Sequence, residues 1–308
     1  MEIDPLIRGL GVDETSGTEA LVEQSAKILV AFTGGFLTED SDAFSKGLVN
    51  VGRKILHARP NLAPLFHMVT ELFALAVEPV GLVKVRRAIR AAAVEFTKTF
   101  SGRAAKVAAK GAELFGTSAK ALTVGRSDLV ERAFLLAVDA GVFGGGIIGE
   151  GRPAYAGRHL ADVLDARGAM NIRVVPDLAL FGCLEEADLV LVGTGAIRAE
   201  GAVTPTGSRA ILTAARAAEK PAYLLAGVMT LLPGRAVLPD PCPVGNPSSV
   251  WESPPEGVTV ENHPFEVTPL SLFRGVVMES GVLAARDVEQ RVRDMPVPAW
   301  VGTAPEPA

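Results

Sequence analysis

Only two cysteines, Cys183 and Cys242, occur in 308 residues, and they stand in no metal-ligand spacing. A disulfide framework and a cysteine-based metal site both lose their basis. The four histidines are scattered through the chain, so none pairs with another at a helical interval. No apolar run approaches the roughly 18 residues that span a bilayer, and no charged n-region leads into an apolar h-region. The expected setting is the cytoplasm, without membrane contact. With 30 basic residues against 35 acidic ones the net charge is −5, which argues against wholesale nucleic-acid binding. The one basic run, Lys84, Arg86, Arg87, Arg90, Lys98, Arg103, Lys106 and Lys110, makes a positive helical stripe without interleaved aromatics. Nothing in the sequence asks for a resident cofactor.

What is plentiful is apolar surface, 48% of the residues, enough to fill one large core or two ordinary ones. From about residue 18 to 116 apolar positions recur at steps of three and four, as in ALVEQSAKILVAF and LFHMVTELFALAV, which predicts a helical N-terminal domain over residues 1–117. Ser16 and Glu19 have the spacing of a capping box that would open its first long helix. From residue 119 short apolar runs (KALTV, VFGGGIIGE, IRVVPD, ADLVLVG, AYLLAG) alternate with amphipathic segments. That alternation predicts an α/β domain over 118–308, a mainly parallel sheet with helices on its faces. Residues 233–269 hold nine of the 21 prolines, so an irregular excursion suited to a lid or an inter-subunit arm is expected there.

In an open α/β sheet, ligands bind beyond the carboxyl ends of the strands, where helix N-termini offer free N–H groups. Gly125-Arg126-Ser127 follows the first predicted strand, Gly151-Arg152-Pro153 the second, Pro176-Asp177 the third and Gly193-Thr194-Gly195 the fourth. Small residues let an anion approach the backbone, and a guanidinium at Arg126 or Arg152 can grip a phosphate through two parallel hydrogen bonds. Taken singly, these residues also suit plain turns and helix caps, Asp128 and Asp177 above all. Tyr155 and His159 lie one turn apart just beyond Pro153, near the same strand end.

The stretch GEGRPAYAGRHLADVLDARGAMNIRVVPDLALFGCLEEADLVLVGTGAI resembles a series that recurs in one family: E-S-R-P, G-x-x-L-A, V-x-x-D, then D-x-V-x-V-G-A-D. HPFEVTPLSLFRGVVMESGVL is similar to the N-P-x-F-D-V-T-P segment of that family, and TVGRSDLV occupies the place of its T-x-x-x-S element. The family joins the translation initiation factor 2B alpha, beta and delta subunits with methylthioribose-1-phosphate isomerase and ribose-1,5-bisphosphate isomerase. The resemblance implies a helical N-terminal domain followed by a Rossmann-like domain, a phosphorylated small molecule as ligand, and assembly into a homodimer or higher oligomer, a hetero-oligomer being the alternative.

The isomerases of the family rely on a cysteine and an aspartate as acid and base. By resemblance these positions read Gly125 and Gly195 here, and Pro205-Thr206 stands where an asparagine and a lysine would be. Glycine exchanges no proton. The expected function is therefore that of a factor-2B-like protein that binds a phosphorylated sugar or nucleotide and regulates. The alternative is a divergent aldose-to-ketose sugar-phosphate isomerase with rewired groups, for which Glu200 is the substitute carboxylate. The ligand-binding residues on either reading are Arg126, Ser127, Arg152, Asp177, Thr194, Gly195 and Glu200.

Overall fold

The computed structural model describes residues 2–78 and 80–303. Five helices open the chain: α1 (Ile3–Val12), α2 (Thr18–Gly35), α3 (Ser41–Ala58), α4 (Ala63–Ala76) and α5 (Leu82–Ala112). Their apolar periodicity is what packs them. In α3, for example, Phe44, Leu48, Val51 and Ile55 form one buried stripe against the neighbouring helices. α5 is 31 residues long, and its buried residues run from Val85 and Ile89 in the helical core to Val107 beneath the sheet. One continuous helix thereby ties the two parts of the chain together. Of the basic run along it, Arg86 is occupied by the carbonyls of Thr33, Phe36 and Thr38, and Arg90 by the Thr33 hydroxyl. These two arginines are braces of the helical part.

The remainder alternates strand and helix: β1 (Ala119–Thr123), α6 (Asp128–Asp139), β2 (Phe143–Gly149), α7 (Ala156–Ala166), β3 (Ile172–Val175), the single-turn α8 (Leu180–Cys183) and β4 (Leu189–Gly193). There follow β5 (Ala196–Arg198), β6 (Gly201–Pro205), α9 (Ser208–Ala217), β7 (Ala222–Leu225), β8 (Ala236–Val237), β9 (Phe265–Thr268), β10 (Gly275–Met278), β11 (Gly281–Leu283), α10 (Ala285–Asp294) and β12 (Gly302–Thr303). The main sheet has the order β11-β10-β7-β4-β1-β2-β3, parallel throughout except for the edge strand β11. Its central strand β4 is buried at every residue, as a sheet covered on both faces requires. Apolar clusters fill both faces, with Leu122, Val190 and Leu224 on one and Ala121, Leu191 and Leu225 on the other. Cys183 is buried in the first of these clusters.

The expected irregular excursion over 233–269 is only partly irregular. Its end, β9, pairs antiparallel with β6, and β8 pairs with β12. Between them the loop is cinched by the Gly245 amide on the Asn262 carbonyl at 2.8 Å and the Asn262 side-chain amide on the Asn246 carbonyl at 3.0 Å.

A second correction concerns the start of α2. The N-cap is Gly17, not Ser16, and no capping box forms. Instead Asp128, from the first turn of α6, reaches across and accepts the Glu19 amide at 3.2 Å. It sits so close that a Cβ on Gly17 would lie 2.1 Å from its carboxylate oxygen. Glu19 turns away from its own helix end to Arg132 of α6, at 2.7 Å, and to the Ser101 hydroxyl. The cap thus crosses between the helical part and the sheet part. Asp128→Ala is expected to lower the stability of the chain by about 1 kcal/mol, the ordinary worth of a helix N-cap. Urea unfolding with a lower midpoint and an unchanged m-value would bear this out; an unmoved midpoint would not.

Candidate functional site

The carboxyl ends of β1, β2, β3 and β4 open on one side of the sheet, and the helical part closes over them. Between the two lies a cleft of about 850 Å³. The sheet side contributes Val124 to Asp128, Gly151 to Ala154, Asp177 and Gly193 to Gly195. The helical side contributes Gly11 to Thr18, His57 to Arg59, Asn61 and Leu62, and the proline-rich loop adds Pro243 to Asn246, Asn262 and Pro264. Six of the seven expected ligand residues, Arg126, Ser127, Arg152, Asp177, Thr194 and Gly195, therefore meet at one cleft. Glu200 does not. Its side chain is 68% exposed, 4.0 Å from the Arg198 guanidinium, and it lines a separate recess of about 420 Å³ with Asp240, Cys242 and Glu266. The β5–β6 turn carries it away from the strand ends. Burial, with Asp240 and Glu266 close by, pushes the Cys242 thiol above its ordinary value.

The cations at the cleft are not equivalent. The Arg126 guanidinium is paired with Glu131 at 2.7 Å and with Asp128 at 3.6 Å, so its charge is already matched. The Arg152 guanidinium is exposed; it donates to the Tyr155 hydroxyl and lies 5.0 Å from the Tyr155 ring centroid. No carboxylate pairs with it among the described residues. Tyr155 itself stays outside the cleft lining, stacked against Arg158 at 3.7 Å, with a left-handed φ of 57°. The third cation, Arg59, was not legible in the sequence, because it belongs to no spacing pattern. It donates to the Leu10 carbonyl at 2.7 Å and to the Asp13 carbonyl, taking up orphan acceptors at the end of α1. Burial lowers its pKa and the nearby Asp13 and Glu14 oppose that shift.

The carboxylates are tied as well. Asp177 was open to a capping role, yet its two oxygens accept the Gly151 and Arg152 amides at 2.8 Å each. It fixes the loop that presents Arg152 and consumes two amides that an anion would otherwise use. Asp13 accepts from the Thr15 and Ser16 amides and from Gln24. Burial alone would raise its pKa, but these donors outweigh it and hold the carboxyl well below the usual carboxylate range. Glu14 accepts from the Ser249 hydroxyl at 3.2 Å, and Asp128 is the cap described above. Each carboxylate lining the cleft is thus already an acceptor for the chain.

Unengaged donors remain at α6. Its N-cap, Ser127, makes no side-chain bond to the first turn, and the helix starts at the cleft wall. Helix N-termini of this kind attract anions through free amides and the partial positive charge of the dipole. Thr194 plays another part: its hydroxyl bonds the carbonyls of Ala196 and Val203 at 2.7 and 2.8 Å, fixing the turn after β4.

Gly125 and Gly195 are both committed by the backbone. Gly125 has a φ of +63°, a conformation that L side chains rarely adopt. A Cβ on Gly195 would fall 2.3 Å from the Asn61 carbonyl oxygen, and the Gly195 carbonyl accepts the Ala63 amide at 2.9 Å. The helical part occupies the space that a side chain at 195 would need.

A helical stretch closed over the carboxyl ends of a parallel sheet, with an arginine and a helix N-terminus at the seam, defines a mixed α/β protein with a cleft between its two parts. The chain matches the model of the initiation factor 2 subunit family over residues 14–285 and belongs to that family. It is 23% identical over 283 residues to a Pyrococcus furiosus protein named translation initiation factor eIF-2B subunit 2-like, covering 90% of this chain and 91% of that one. It is 25% identical over 279 residues to the methylthioribose-1-phosphate isomerase of Acaryochloris marina, covering 83% and 78%. Among solved structures, the translation initiation factor eIF-2B of Pyrococcus horikoshii OT3 superposes with a TM-score of 0.80 at 21% identity, covering 93% of this chain and 98% of that one.

Gly195→Asp is expected to destabilise the chain by about 1–3 kcal/mol, the range for overpacking a filled site. It is expected to create no isomerase activity. Thermal unfolding and an aldose 1-phosphate conversion assay check both; a stable variant that turns over would contradict the packing account.

Proposed function

We propose that the cleft binds a phosphorylated sugar or nucleotide and that the protein regulates rather than catalyses. The observation that carries this reading is the pairing of Arg152, a cation without a carboxylate partner among the described residues, with the open N-terminus of α6 across the same cleft. A phosphate between them gains charge-assisted hydrogen bonds from a guanidinium and from helix amides. The strand order β3-β2-β1-β4-β7-β10, all parallel, is that of a doubly wound sheet, which favours a Rossmann-like binding region with its ligand at the switch between β1 and β4.

Aldose-ketose isomerisation needs a group to take a proton and a group to return it. The family's two positions hold Gly125 and Gly195, and the cleft carboxylates Asp13, Glu14, Asp128 and Asp177 are engaged in holding loops and caps. What the isomerase alternative retains at the cleft wall is the His57 imidazole, whose Nδ1 lies 2.8 Å from the Arg53 carbonyl. Glu200, its candidate, opens on the other recess.

Calorimetry and phosphorus NMR on the same samples, with aldose 1-phosphates, ribose 1,5-bisphosphate and nucleoside monophosphates, test this. Saturable binding without ketose product is expected, weakened roughly tenfold or more by Arg152→Ala, as fits the loss of a charged hydrogen bond. Enzyme-dependent ketose formation, or binding indifferent to Arg152→Ala, would overturn the reading.

A further inference from the structure

Glu19 Oε1, Thr70 Oγ1 and Trp300 Nε1 are buried without a hydrogen-bond partner among the described residues. The first lies 2.7 Å from the Arg132 guanidinium and is matched by charge. The other two share one place. Thr70 stands four residues after Phe66 and three before Phe73, on one face of α4. The Trp300 ring packs on both phenylalanines, its centroid 5.6 Å from that of Phe66 and, edge-on, 5.0 Å from that of Phe73. An indole N–H donates and a threonine hydroxyl accepts, yet both are left unpaired here. Buried polar atoms without partners cost free energy, so ring packing holds this seat and its polar atoms weaken it.

Trp300 belongs to the segment that leaves α10 at Met295 and crosses to the helical part, with Pro296 and Pro298 keeping it out of a helix. Its other holds are slight. The Arg53 guanidinium donates to the Trp300 carbonyl at 3.0 Å, and β12 pairs with β8 over two residues in a sheet of their own. An isolated pair of strands has little stability by itself. β8 in turn lies near the start of the proline-rich loop. Leu238 and Cys242, next along that loop, pack on the same helical core as Trp300 and Val301, and Pro243 to Asn246 then line the cleft. The stem of the loop is tied to the sheet part independently, by the Gly234 amide on the Val292 carbonyl at 2.9 Å and by Arg198 on the Pro239 carbonyl at 3.0 Å.

We propose that residues 296–303 are a releasable latch: Trp300 seated on α4 holds the proline-rich wall of the cleft to the helical part, and its withdrawal frees that wall while both cores stay folded. The inference concerns the wall itself and does not depend on what the cleft binds. With the latch open, the stem of the loop keeps its bonds to the sheet part, and the exposed Ser249–Glu14 bond is a remaining side-chain tie to the helical part. An anchor with two unpaired polar atoms and a two-residue strand pair belongs to the part of the fold that opens first.

Hydrogen exchange followed by mass spectrometry on the wild-type chain, Trp300→Ala and Thr70→Val tests this without any ligand. Trp300→Ala is expected to speed exchange over residues 236–246 by about tenfold or more and to leave β4 unchanged, as a local opening requires. Thr70→Val keeps the shape of the seat and removes its unpaired hydroxyl, so it is expected to slow exchange over the same residues without lowering the melting temperature. Acceleration that reaches β4 equally, or a Trp300→Ala chain that fails to fold, would make the indole a permanent part of the core and overturn the inference. Exchange over 236–246 that ignores Trp300→Ala, or that rises in Thr70→Val, would overturn it as well.

Discussion

The carboxylate of Asp128 stands at the N-terminus of α2 and joins the two walls of the cleft. That helix has no cap of its own, so its first turn is completed only when the sheet part lies against it. The same contact admits only glycine at position 17, and the Glu19–Arg132 pair reinforces it from the other side. The loop from Asp13 to Thr18 is consequently held above the strand ends, where it forms a wall of the cleft. Arg59 pins the opposite end of that loop through the carbonyls of Leu10 and Asp13. Site geometry and the union of the two parts are therefore one property.

The second constraint is the approach of the α3–α4 turn to Gly195. The Asn61 carbonyl oxygen stands where a side chain at 195 would begin, and the Ala63 amide bonds the Gly195 carbonyl. Membership in a family that spans initiation-factor subunits and isomerases leaves both behaviours open in principle. The packing at Gly195, the left-handed backbone at Gly125 and the engaged carboxylates of the cleft all favour the binding role.

Much of this was legible in the sequence, for identifiable reasons. Periodicity placed the helices, and the short apolar runs became β1, β2, β3, β4 and β7, because burial on both faces leaves a dense apolar signature. The loops carrying Arg126, Arg152, Asp177 and Thr194 were found at strand ends and do converge. What the sequence hid was partnership over long separation. Ser16 and Glu19 have the spacing of a local cap, yet a carboxylate 109 residues from Glu19 does the capping. Glu200 looked close to the strand ends in sequence, but the tight β5–β6 turn redirects it to another recess. Asp177 suited a helix cap more than a ligand contact, yet it does not cap a helix: its oxygens hold the Gly151-Arg152 loop at the cleft wall. Arg59 carries no motif; only its carbonyl contacts single it out.

The central claim is that a phosphorylated ligand binds at the junction between the helical part and the sheet. Amide hydrogen exchange with and without saturating AMP tests it directly. The account predicts slowed exchange on both sides of the cleft at once, at Asp13 to Glu19 and at Gly125 to Leu129, because the ligand fastens the two walls together. Protection confined to one wall, or no change at either, would contradict it.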